Sequence, residues 1–112
     1  MEVNGHPIAL LNTSIVTADG TYTLKTITLE EVKDLIKGRE TISAIGHEST
    51  AQVLTELLGI KVSVNRISFE QQIGQTAIVF KLNDRPPEGK ILSREEIEEI
   101  GFSFKSLYRC IG

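Results

Sequence analysis

Apolar residues recur with a helical period in three places along the chain. Leu29, Val32, Leu35 and Ile36 form the first run, Val53, Leu54, Leu57 and Leu58 the second, and Ile97 with Ile100 the third. Ahead of each stands a Ser or Thr with a Glu or Gln three positions later: Thr28 with Glu31, Ser49 with Gln52, Ser93 with Glu96. That spacing lets the hydroxyl cap the first helical N–H groups while the longer side chain bonds back, so all three are predicted N-termini. Gly38, Gly59 and Gly101 stand where the helices should stop.

Between the helices the pattern turns β-like, in residues 8–11, 42–45, 61–69, 76–82 and 102–111, with 22–27 as a short edge strand. Residues 61–82 read as two antiparallel strands joined near Gly74, while strand–helix–strand order on either side predicts parallel crossovers. The expectation is an α/β fold, a single domain over residues 1–112 with a mixed sheet of about five strands and three flanking α-helices. One strand breaks its own rhythm. Ile60, Val62 and Val64 share a parity that Ile67 and Phe69 do not, so the alternation slips between Asn65 and Arg66. A bulge or break there re-aims Arg66, although the same pattern fits a surface arginine at a twist.

At 112 residues, 40% hydrophobic and 24% charged, the chain has the size and make-up of a globular domain that buries a core unaided. No stretch approaches the ~20 apolar residues of a membrane span. The first residues show neither the basic flank nor the apolar run of a secretory signal, so a cytoplasmic location with no membrane partner is expected. A net charge of −3 argues against general nucleic-acid binding, which relies on a basic surface to displace counterions. A small anion held by a few local arginines is compatible with it. Cys110 and two histidines are too few for a zinc site of the usual Cys/His type, so any chemistry is expected to need no metal and no cofactor.

Three stretches carry groups suited to chemistry. His47 follows an expected strand and Gly46, ahead of a helix, where free amides and the helix dipole favour an anion. Gly46 permits close backbone approach, Ser49 and Thr50 offer hydroxyls, and an imidazole exchanges a proton near neutrality. The loop "LNDRPPEGK", residues 82–90, is stiffened by two prolines, turned by Gly89 and charged at Arg85, Glu88 and Lys90. An arginine held there suits a phosphate or a developing negative charge. Asn12, Thr13 and Ser14 end the first strand with groups that hydrogen-bond a ribose, base or phosphate. Each stretch also has a plain alternative: a solvated loop histidine, a rigid turn with ordinary charges, and side chains bonding their own backbone. His6 reads as incidental and Cys110 as a packing residue.

Taken together, "LLN" at 10–12, "AIGHEST" at 44–50, "LLGIKVSVNR" at 57–66 and "DRPPEGKILS" at 84–93 resemble the small family of viral type III anti-CRISPR ring nucleases, found also in bacteria and mobile elements. The resemblance implies a homodimer with a mixed sheet, binding cyclic tetra-adenylate across its two-fold axis and cleaving it. It would act in the cytoplasm, that of the host if the chain is viral. His47 matches the catalytic histidine, and Arg66, Arg85 and Glu88 match ligand-binding or catalysis-supporting positions. Arg85 and Glu88 join His47 in the expected catalytic set; Asn12, Ser14, Gly46, Ser49, Thr50, Arg66 and Gly89 form the expected ligand-binding set. Many relatives carry a serine three residues beyond the asparagine, where this chain has Ile15 with Ser14 one residue early.

The implied reaction is attack by a 2′-hydroxyl on the adjacent phosphate, leaving a 2′,3′-cyclic phosphate and a 5′-hydroxyl. Protonated His47 serves as general acid and Arg85 as the cation on the phosphate. A two-fold dimer presents two such histidines to a ring of four nucleotides, so two cuts yield two linear dinucleotides. Two other classes are set against this: a module that sequesters the cyclic nucleotide uncut, and a DNA-binding regulator of a mobile element.

Overall fold

A computed structural model of the chain describes residues 7–13, 16, 18–67, 69–84 and 92–110. Among these, the elements run β1 (Ile8–Leu11), β2 (Thr21–Ile27), α1 (Leu29–Ile36), β3 (Thr41–Ser43), α2 (Glu48–Leu58), β4 (Thr76–Leu82), α3 (Arg94–Ile100) and β5 (Phe102–Cys110). They form one sheet in the order β2-β5-β4-β1-β3. β1 is parallel to β3 and β4, while β5 is antiparallel to β4 and β2. All four residues of β1 are apolar and buried, as a strand with both faces covered and a parallel neighbour on each side requires. The mixed α/β fold expected from the pattern is therefore the fold observed.

The strand parity splits the core in two. Ile8, Leu10, Ile78, Phe80 and Phe104 meet Val32 and Ile36 of α1, Leu54 and Leu57 of α2, and Ile97 of α3, so all three helices pack on one face. On the other face Ala9, Leu11, Ala77, Val79 and Leu107 gather with Phe69, and no helix joins them. The chain crosses that second face through residues 69–75. Gln71, only 2% exposed, holds the crossing in place by donating from Nε2 to the carbonyls of Gln75 and Leu107, 2.7 Å each.

Two of the three predicted capping boxes are present. Thr28 and Ser93 accept from the amides of Glu31 and Glu96, and those glutamates accept in return from the cap amides. The third is corrected: α2 begins at Glu48 with His47 as its N-cap, so Ser49 lies inside the first turn. The turn closes early because the His47 carbonyl already receives the Ala51 amide at 3.0 Å, and Glu48 adds an acid where the helix dipole favours one.

Residues 61–69 are also corrected. The described residues among them form no ladder strand, and β4 pairs with β1 and β5 instead. Side chains intercept the backbone groups a strand would have used: the Val62 amide donates to Thr55 Oγ1 at 2.9 Å, and the Ser63 carbonyl accepts from Ser43 Oγ at 2.6 Å. Val64 and Ile67, 41% and 43% exposed, have no second layer to bury against. The expected edge strand at 22–27 is present as β2, one residue longer at its start. Cys110 is half-buried at the end of β5, its sulfur 3.5 Å from Thr23 Oγ1.

No helix among the described residues is long and apolar enough to cross a membrane.

Candidate functional site

Because β3, β1 and β4 are parallel, their C-terminal ends share one edge of the sheet. The register sets Leu10 beside Ser43 and Leu11 beside Val79, so Asn12, the chain after Ser43, and the chain beyond Leu82 emerge side by side. β1 lies between two parallel neighbours, β3 on one flank and β4 on the other. Crevices outside the carboxyl ends of parallel strands are where open α/β sheets commonly bind ligands.

Beyond β3 the chain stays pinned to the sheet, with the Ala44 amide donating to the Leu10 carbonyl at 2.9 Å and Ile45 fully buried. Residues 63–66 run beside 43–46 in the same direction. The Asn65 amide donates to the Ile45 carbonyl at 2.8 Å, and Asn65 Nδ2 donates to the Ser43 carbonyl at 2.7 Å. Arg66 Nε then donates to the Gly46 carbonyl at 2.9 Å. A Cβ on Gly46 would lie 3.8 Å from Arg66 Cγ, so the arginine stem packs directly over the glycine turn.

His47 follows at once, exposed, in extended backbone at the start of α2. Its side chain makes no capping bond, which leaves the amides of the first turn open to an incoming anion. Ser49 and Thr50 are half-buried in that turn. The chemistry available is that of an exposed imidazole at a helix N-terminus, next in sequence to the carbonyl that holds an exposed guanidinium by its Nε–H.

The structure thus brings Gly46, His47, Ser49, Thr50 and Arg66 together, with Asn12 half-buried at the same edge just beyond β1. Ser14, Arg85, Glu88 and Gly89 lie outside the described residues, as do Pro86, Pro87, Lys90 and His6. Two pairs of residues at this edge had no role assigned from the sequence. Ser43 and Asn65 lash the arch that carries Arg66 to β3, and the broken alternation at Asn65 was the one signal of it. Lys81 and Lys105 share with Asn12 a cleft of about 710 Å³ at this edge, and only strand parity, invisible until the register is known, places them there.

These features define a mixed α/β domain, built on a single sheet, whose polar groups converge outside the carboxyl ends of three parallel strands. More particularly, the chain belongs to the STIV B116-like family, whose profile matches residues 8–104. It is similar to B116 of Sulfolobus turreted icosahedral virus, with a TM-score of 0.80 and 25% identity over 92% of this chain and 99% of that one. Among sequences it is 44% identical to YddF of Bacillus subtilis (strain 168) over 105 residues, 91% of this chain and 96% of YddF. It is 35% identical to ORF117 of Acidianus two-tailed virus over 106 residues, 89% and 91% of the two chains. Relatives of the chain thus occur in viruses and in a bacterium.

Proposed function

We propose that the protein is a metal-independent ring nuclease: a homodimer that binds cyclic tetra-adenylate and opens it, switching off type III CRISPR signalling. One observation carries the reading. Arg66 is fastened to the Gly46 carbonyl next to a histidine that occupies an N-cap position without capping. A histidine spared from structural duty, beside a fixed cation and open amides, suits proton delivery to a phosphodiester. The resemblance to viral anti-CRISPR ring nucleases, carried by the IGH-x-ST, N-R and R-x-x-E-G-K stretches, supplies the substrate.

In this reading the ribose 2′-oxygen attacks the neighbouring phosphorus, its proton released to solvent. A P–O2′ bond forms as the P–O5′ bond breaks, and the imidazolium of His47 passes its proton to the departing 5′-oxygen. The guanidinium of Arg66 and the α2 amides hold phosphate charge. Arg85 and Glu88 keep the roles the resemblance gives them, Arg85 as cation on the phosphate and Glu88 in support of the catalytic set.

Incubation with cyclic tetra-adenylate in EDTA tests the proposal. The wild-type protein should release linear products, whereas His47→Ala should bind the ring and cut it about 10²- to 10⁴-fold more slowly. Tight binding with unchanged ring recovered from the wild type would instead select a sequestering protein. Binding to duplex DNA but not to the ring would select a regulator.

A further inference from the structure

The geometry points to a second anion-holding position, formed by Lys81 and Lys105 on the helix-free face, that takes a phosphate of the oligonucleotide other than the one being cut. It rests on the ring-nuclease reading for its ligand class, and on the sheet register for its place. Lys81 of β4 lies opposite Ser103 and Lys105 of β5 opposite Val79, so both lysines project from the same face as diagonal neighbours. Their Cα atoms are then about 7–8 Å apart, within reach of a single phosphate between two long side chains.

The surroundings fit a phosphate ester. Asn12, Thr13, Asn83 and Ser103 complete the cleft with neutral donors and acceptors over the apolar floor of Val79, and no carboxylate lines it. Among the described residues neither lysine has an ion-pair or hydrogen-bond partner. In a chain of net charge −3, two like charges set side by side without an acid are a local cost that a bound anion removes. The acids of the helix first turns, Glu30, Glu31, Glu95 and Glu96, belong to helices on the other face.

The strand order and the faces separate it from the first position. β4 and β3 flank β1, so Lys81 and the chain beyond β3 stand two strand spacings apart, roughly 10 Å in the plane of the sheet. α2, which His47 opens, packs on the face opposite the lysines. The two positions therefore suit two different phosphates. A ligand with several phosphodiesters engages both, and Asn12, just beyond β1, lies between them. Lys81 and Lys105 are accordingly positioning residues, which fix how the ligand lies relative to His47.

The test is a salt-dependent titration of the full chain carrying His47→Ala, with cyclic and with linear tetra-adenylate, alone and combined with Lys81→Gln and Lys105→Gln. The double glutamine variant should bind at least tenfold more weakly. The slope of log K against log salt should flatten by about 0.7, the value of one single-strand phosphate contact. Lys81→Arg with Lys105→Arg should restore both, and circular dichroism should match throughout. With His47 intact, the glutamine pair should raise KM far more than it lowers kcat. Unchanged affinity and slope, with the ring still bound and cut, would overturn the lysine position and leave the ring-nuclease reading standing. Lysine-dependent binding of the linear form alone would overturn that reading and keep the position. Failure of the wild-type histidine protein to bind either form would overturn both.

Discussion

His47 sits where Ser, Thr, Asp or Asn would serve the helix better. α1 and α3 begin with full capping boxes, while α2, which carries Leu54 and Leu57 into the core, begins with a side chain that caps nothing. On the ring-nuclease proposal, the missing cap is stability given up for the reaction. His47→Asp should therefore raise unfolding free energy by about 1 kcal/mol in urea titrations while abolishing cleavage. A destabilised variant would mean that the imidazole has a structural task. Thr28→Ala and Ser93→Ala should do the reverse, each costing about 0.5–2 kcal/mol with turnover per folded molecule unaltered. Arg66 makes a complementary case. Lysine in its place keeps the charge but loses both the Nε–H that anchors it to Gly46 and the planar fork. Arg66→Lys should weaken ring binding by about 1.5–3 kcal/mol in calorimetry, with little effect on thermal unfolding.

At the level of elements, local signals were readable and non-local ones were not. The boxes at Thr28 and Ser93 involve four consecutive residues, so spacing alone identified them. The Ser49–Gln52 pair has the same spacing, yet the helix was already under way at Glu48, since the chain past Gly46 is held by β3 and Arg66. Residues 61–69 have strand composition, but Thr55 and Ser43, distant in sequence, take over their backbone bonds. The α3-to-β5 corner is set by one glycine. Gly101 has φ +85 and ψ 152, a combination open essentially to glycine alone, and a Cβ there would collide with the Asn83 side chain. Its carbonyl receives the Asn83 amide at 2.9 Å, tying the corner to the end of β4. Gly101→Ala should destabilise by about 1–3 kcal/mol, measured by denaturant midpoint.

On the scale of the molecule, the order β2-β5-β4-β1-β3 creates the site by lining up three strand ends. Candidate groups were visible in the sequence as three separate stretches, each of them ambiguous. Their convergence depends on β1 lying between β3 and β4, a pairing between residues more than 30 positions apart. Arg66 was legible as an irregularity, whereas nothing local in the sequence singles out Lys81 or Lys105. The helix-free face, covered in part by residues 69–75, keeps these lysines open at the edge that carries Asn12. In the proposed dimer, two such edges would meet one ring, each supplying a single His47.

On the ring-nuclease proposal His47 protonates the 5′-oxygen leaving a cyclic oligoadenylate, a step that mass spectrometry of the products reads out. Wild-type protein incubated with cyclic tetra-adenylate in EDTA should yield linear di-adenylate ending in 2′,3′-cyclic phosphate, and His47→Asp should return the ring intact. Recovery of the intact ring from folded wild-type protein would exclude the ring-nuclease activity, and equal cleavage by the aspartate variant would exclude His47 as its acid.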